Sequence, residues 1–257
     1  MELQKGALAP ARSDPRVPVL VLSCDWRSYE APEELLGPRE RAQAAALPGP
    51  ARRREWVRGR LTAKAAVRLA TGAHSTQILT SVGGAPRAVP TAAAHAAEPT
   101  AISLSHTGSV VVCAAMPGSE PLGVDVEPVD PCNDVFLRRV LRPEEEAAVP
   151  RGRPGLRSTA CISCKEAAVK AFRRPSVRLR DYRLCRGPRG SVWVEVDGTD
   201  LPRLRLWRDC SRGLLTAVCA PSTARPAYRR LSPARVLALV GAAVPPGETD
   251  CPGPATR

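Results

Sequence analysis

Aromatic side chains are scarce: Phe, Trp and Tyr together make up only 4% of the 257 residues. That scarcity argues against single-strand nucleic-acid binding on stacking platforms, which need several exposed rings along one face. Long apolar runs are missing too. No stretch of 18 apolar residues occurs, and the first thirty residues lack an apolar segment followed by a small-residue cleavage site. Neither a membrane span nor a secretory signal is therefore expected, and the chain reads as cytoplasmic. A glycine-rich phosphate loop of the G-x-x-x-x-G-K type is absent. The lone C-x-x-C, Cys161 and Cys164, has no second pair and no histidine at zinc-finger spacing, so it reads as two helical neighbours. The nine cysteines, an odd number, are expected to be mostly buried thiols, with Cys24, Cys113, Cys185 and Cys219 in apolar or strand-like settings. Lysine is the rarest surprise: only Lys5, Lys64, Lys165 and Lys170, against 34 arginines.

What is present is a net charge of +13 and 44% apolar residues, enough for one large or two modest cores. Such a chain folds, and it attracts polyanions or phosphates. Residues 1–18 read as a flexible leader and 222–257 as a Pro-rich tail around one short apolar segment, Val236 to Val240. Between them the order strand, helices, strands occurs twice and breaks near Pro117 to Pro121. We therefore expect an α+β fold of two similar halves, 19–118 and 119–221. Expected elements include a strand over 17–23, a helix over 33–47 interrupted at Gly37-Pro38, and a basic amphipathic helix over 52–69. Strands over 101–104 and 110–115 are expected to flank a tight turn at Ser105-His106-Thr107-Gly108. A strand over 122–127, helices over 134–149 and 158–173, and an antiparallel meander over 191–196, 201–207 and 214–220 complete the pattern.

Three short segments carry chemistry. In Leu122-Gly123-Val124-Asp125-Val126-Glu127 the two-residue period of a strand puts Asp125 and Glu127 on one face. Two like charges there call for a cation, either a metal or an arginine. In Ser163-Cys164-Lys165-Glu166-Ala167-Ala168-Val169-Lys170, Glu166 and Lys170 are four apart and share a helix face. An ordinary surface ion pair would look the same, but two of four lysines fall within six residues. A compact ammonium is the tool for a phosphate in a tight space. The third segment is Leu104-Ser105-His106-Thr107-Gly108. His74 and His95 carry no pattern.

Taken in order and spacing, Ala101-Ile-Ser-Leu-Ser-His106-Thr-Gly, Leu122-Gly-Val-Asp-Val-Glu127 and Ser163-Cys-Lys-Glu-Ala-Ala-Val-Lys170 resemble the signature of the 4′-phosphopantetheinyl transferases. The likeness is to the larger, monomeric, surfactin-synthetase-activating type. It extends to the basic helix, a Gly83-Gly84-Ala85-Pro86-Arg87 turn, a Leu141-Arg142-Pro143-Glu144-Glu145 step and a closing strand over 215–220. The resemblance implies that family's fold, two α/β halves related by pseudo-twofold symmetry. It also implies transfer of the phosphopantetheine arm of coenzyme A to a serine of an apo acyl or peptidyl carrier protein, releasing adenosine 3′,5′-bisphosphate with Mg²⁺ as cofactor. Asp125, Glu127 and Glu166 match the metal-binding acids. Ser105 and His106 match the phosphate-contacting pair, Lys170 the lysine that meets the diphosphate, and Lys165 the lysine beside the metal-binding glutamate. Arg52, Arg53 and Arg54 fall where basic residues hold the 3′-phosphate, Arg60 matches a basic position in the same helix, and Arg87 stands near the turn's missing lysine. Glu166, or in second place Glu145, is the expected proton acceptor, with Lys170 and His106 beside it in the catalytic set. Two departures are visible: Ile162 stands where the third motif has Trp, and Ala85 where the turn has Lys. The acids are intact, so activity is expected on carriers of the kind used in polyketide or nonribosomal-peptide synthesis. The resemblance implies neither nucleic acid nor membrane as a partner. Three rival readings use part of the pattern. A basic nucleic-acid-associated protein leaves the three acids without purpose, another Mg²⁺-dependent phosphotransferase or nuclease lacks its phosphate loop, and a catalytically weakened coenzyme A-binding relative would sooner have lost an acid.

Overall fold

The computed structural model describes residues 17–73, 76–91, 98–129, 134–149, 154–174 and 176–241. Residues 1–16 of the expected leader and 242–257 of the expected tail, with His74 and His95, lie outside the described residues. The chain folds as α+β. Strands β1 (Val17–Asp25), β4 (Thr100–Thr107), β5 (Val110–Pro117) and β11 (Ala224–Leu231) form one sheet in the order β11-β1-β5-β4. Strands β6 (Gly123–Pro128), β7 (Tyr182–Arg186), β8 (Val192–Val196), β9 (Leu204–Ser211) and β10 (Leu214–Ala220) form a second, in the order β6-β10-β9-β8-β7. Strands β2 (Thr76–Thr80) and β3 (Pro86–Pro90) make a separate hairpin.

The sheets stack face to face, and each has a long helix on its outer face. Helix α2 (Pro50–Thr71) covers the first sheet through Val57, Leu61 and Ala65, against Leu20, Leu22, Cys113 and Ala115. Helix α4 (Pro154–Phe172) covers the second through Cys164, Ala167 and Ala171, against Leu215, Ala217 and Cys219. Between the sheets lie Val19, Val21, Val112, Ala114, Val124, Val126 and Val218. This layering explains why β1 and β5 read as unbroken apolar runs: both of their faces are covered.

In each half the first strand pairs antiparallel with the last, β1 with β5 and β6 with β10. The division of the chain is less clean than the break near residue 118 implies. The expected tail supplies β11, which pairs in parallel with β1, and α5 (Pro233–Val240), which is packed on α2. Its proline and arginines look like tail composition because β11 is an edge strand, the place where sheets tolerate Pro and charge.

Other boundaries moved for local reasons. The expected helix over 134–149 stops at Val140 in α3 (Asp134–Val140), because Arg142 precedes Pro143 and takes an extended conformation. Ser105 and His106 lie within β4 and outside the turn, which falls at Gly108-Ser109 with Gly108 at φ 55°. The helix over 33–47 reduces to a short turn at Glu33–Leu35 and α1 (Pro38–Ala45). Strands β2, β3 and β7 were not foreseen.

One construction occurs twice. At Gly37-Pro38-Arg39-Glu40 and Arg142-Pro143-Glu144-Glu145 a proline opens a helical turn, and the glutamate two residues on folds back to accept the N–H of the residue before the proline, both at 2.6 Å. Each glutamate also accepts a strand N–H, Ile78 at 2.7 Å for Glu40 and Leu184 at 2.6 Å for Glu145. Each is then paired with a lysine of its half's long helix: Lys64 at 2.6 Å and Lys165 at 2.8 Å. Each lysine donates further to a backbone carbonyl, Leu35 and Val140, both at 2.8 Å. Both glutamates are fully buried.

Candidate functional site

The candidate site lies where β4, the edge of the first sheet, meets β6, the edge of the second, under α4. Two features draw these elements together. Ser103 on β4 accepts the N–H of Val124 on β6 at 3.0 Å, so a side chain satisfies a strand-edge donor that no neighbouring strand reaches. Gly123 lets α4 sit on the β6 backbone, since a β-carbon there would stand 1.8 Å from the carbonyl oxygen of Ala167. With alanines at 167 and 171, the helix comes close enough for its Glu166 and Lys170 to reach the β6 acids.

Asp125 is the centre of the arrangement, with only 3% of its surface exposed. Its Oδ1 accepts the Ser105 hydroxyl at 2.9 Å and the Lys170 ammonium at 2.7 Å. Lys170 also donates to Ser105 Oγ at 2.9 Å. The other carboxylate oxygen, Oδ2, is buried and accepts no hydrogen bond from the protein. Glu127 and Glu166 are half-buried and share this neighbourhood. Burial first, and then the charge of Asp125, push both carboxyls above their usual range, while Lys170 pulls them down.

The remaining expected residues are dispersed. His106 follows Ser105 on β4 and so belongs to the opposite face of the strand, where it is exposed. Arg87 is exposed on β3. Arg52 and Arg53, on the first turns of α2, pair with Glu55 at 3.4 Å and with Glu33 respectively. Arg60 is not on the open face of that helix. Only 6% exposed, it donates to Thr80 Oγ1 at 2.6 Å and stacks on Trp56 at 4.1 Å, and burial lowers its pKa to about 10.

Two expectations are corrected by burial. Glu145 is not a proton acceptor facing the site, and Lys165 does not reach a substrate there. Both side chains are fully buried and held by each other and by backbone groups in the clamp described above. The helix turns 100° between Lys165 and Glu166, which sends one into the core and leaves the other at the site. Cys161 and Cys164 are buried free thiols, each pushed up to about 12 by burial, so neither offers a thiolate.

Reading the sequence missed Ser103, Arg173 and the role of Gly123. Arg173, just past α4, donates to the Ile102 carbonyl on β4 at 3.4 Å and adds a cation beside the site. The alternation Ser103, Ser105 on β4 was the available signal for the first.

Among the described residues no three His, Cys, Asp or Glu side chains stand close enough to enclose a metal by themselves. The donor set nevertheless fits a hard divalent cation. The carboxylates offer oxygen ligands, Asp125 Oδ2 is buried without a partner, and Mg²⁺ is commonly held by one or two carboxylates with water and phosphate oxygens completing its shell. No protein-family model matches the chain, and no curated protein matches it in sequence.

Proposed function

We propose that the protein transfers the phosphopantetheine arm of coenzyme A to the serine of an apo carrier protein in a Mg²⁺-dependent reaction. The observation that carries this reading is the contact of Ser105, Asp125 and Lys170, drawn from three motifs that are 20 and 45 residues apart from Asp125 in sequence. The same three segments carry the resemblance to the phosphopantetheinyl transferases. The paired strands and the twice-built glutamate clamp are also what two halves related by a pseudo-twofold axis would contain.

Asp125, Glu127 and Glu166 would hold the magnesium. Bound there, it would offset the negative charge that develops on the leaving diphosphate. Lys170, on an unbranched stem and partly exposed, is placed to meet an anionic oxygen. Glu166, half-buried on the helix face that also carries Lys170, is the side chain placed to take the serine proton. Ser105 holds Asp125 and Lys170 in register. The net charge of +13 would draw both the anionic cosubstrate and an acidic carrier. In such a transfer most of the rate comes from positioning and charge stabilisation, which is all these residues need to supply.

Incubation with coenzyme A, Mg²⁺ and an apo carrier protein, followed by intact-mass measurement of the carrier, tests the proposal. The carrier should gain one phosphopantetheine, and should not do so when chelator replaces Mg²⁺. An unmodified carrier from every class tried, with tight binding of duplex DNA at physiological salt, would replace this reading by the nucleic-acid one.

A further inference from the structure

A metal on Asp125 would share the carboxylate with the partner it already has. Oδ1 already takes an ammonium 2.7 Å away, and the same carboxylate leaves Oδ2 buried and unpaired. An unpaired buried carboxylate oxygen accepts a cation readily. Yet a divalent ion arriving at Oδ2 would stand within a few ångströms of Lys170, where like charges repel. The two cations compete for one carboxylate.

The lysine is the mobile party. Asp125 and Ser105 sit on strands in the middle of the fold, whereas 31% of the Lys170 side chain is exposed and, among the described residues, its hydrogen bonds go to those two. The other described lysines differ. Lys165 is fully buried and bonded to Glu145 and to Val140 O, while Lys64, 11% exposed, is bonded to Glu40 and to Leu35 O. Those two are fixtures of the fold, and Lys170 is free to leave.

We propose that Lys170 is the resident counter-ion of Asp125 in the metal-free protein, and that a divalent cation displaces its ammonium, freeing it to meet an anionic group of the cosubstrate. The proposal rests on the metal-dependent reading above and adds a coupling to it. Metal binding releases the lysine, a bound anion keeps the lysine away, and so each ligand strengthens the other's binding by the same factor.

Mn²⁺, titrated by electron paramagnetic resonance with and without coenzyme A, provides the test. Wild type should bind Mn²⁺ weakly alone and at least about tenfold more tightly with coenzyme A. Lys170→Met should bind Mn²⁺ alone about tenfold more tightly than wild type, and should gain less from coenzyme A than wild type does. Ser105→Ala, which loosens the lysine without removing it, should fall between. A second measurement uses only the wild-type chain: brief acetylation read peptide by peptide should label Lys170 several-fold faster when Mn²⁺ is added, with Lys64 and Lys165 unchanged. Equal or weaker Mn²⁺ binding by Lys170→Met, or unchanged labelling of Lys170, overturns the switch. If Asp125→Asn abolishes Mn²⁺ binding while Lys170→Met does not improve it, the metal site stands and only the switch fails. If Mn²⁺ binds neither wild type nor Lys170→Met, even with coenzyme A, the metal reading fails and the switch with it.

Discussion

The two long helices, α2 and α4, are built to the same plan and used differently. Each presents a lysine to a buried glutamate that caps a proline-initiated turn and pins a strand. Counting from that lysine, α2 continues Lys64-Ala65-Ala66-Val67-Arg68-Leu69 and α4 continues Lys165-Glu166-Ala167-Ala168-Val169-Lys170. The next residue is a fully buried alanine in α2 and a half-buried glutamate in α4. Five residues after the lysine stands Leu69 in one and Lys170 in the other. The shared part is scaffold, and the part found only in α4 supplies the candidate site. This also sharpens the argument from lysine economy: of the two clustered lysines, Lys165 serves the fold and Lys170 lies at the candidate site.

The largest effect should come from the acid that α4 faces and α2 has no counterpart for. Asp125→Asn should lower transfer by at least about 10³-fold while leaving the far-ultraviolet circular dichroism unchanged. Near-normal turnover at saturating Mg²⁺ would remove Asp125 from the site. Next come the two clamps. Glu40→Ala and Glu145→Ala each strand a lysine that is largely or fully buried and orphan two backbone N–H groups, so each should cost about 3–5 kcal/mol of stability in urea melts. If the halves are equivalent, the two losses will be similar. A Glu145 variant that melts normally but turns over slowly would restore it as a proton acceptor and break the comparison.

The smallest effects concern Glu127 and Glu166, whose carboxyls are held above the usual range in the fold. A raised carboxyl pKa means that the folded chain binds the proton more tightly than the unfolded one. Stability therefore falls as pH rises from the unfolded value through the folded one, and above both the cost is complete. Glu127→Gln and Glu166→Gln should accordingly raise the melting temperature by about 1–2 °C at pH 8 in chelator, and leave it unchanged at pH 4. A lower melting temperature at pH 8 would mean that the acids are already well paired. Glu166→Gln should also lose transfer, as expected of a helix returned to the pattern of α2.

Much of this was legible in the chain. Asp125 and Glu127 share a face because a strand has a period of two, and Glu166 and Lys170 because a helix returns every 3.6 residues. The segments 17–23 and 110–115 read as strands, as they are. Less legible were β11, whose proline and arginines suit an edge as well as a tail, and the orientation of Lys165 and Arg60. Local pattern places a residue on an element, but the side that faces a neighbour depends on what packs there. Ile78 and Leu184, whose N–H groups fix the two clamps, are 38 and 39 residues from their glutamates, beyond any local rule.

The sequence by itself determined the α+β class, the repeated order of elements, and three short segments whose side chains suit a cation and a phosphate, because those follow from periodicity and residue chemistry. Only the tertiary structure decided which acids and lysines meet. Gly123 lets α4 rest on β6, the edges of two sheets abut at Ser103 and Val124, and those contacts put Lys170 on Asp125 while burying Lys165 against Glu145. Adjacent residues of one helix thus take opposite roles, since burial, more than charge, separates a clamp from a site.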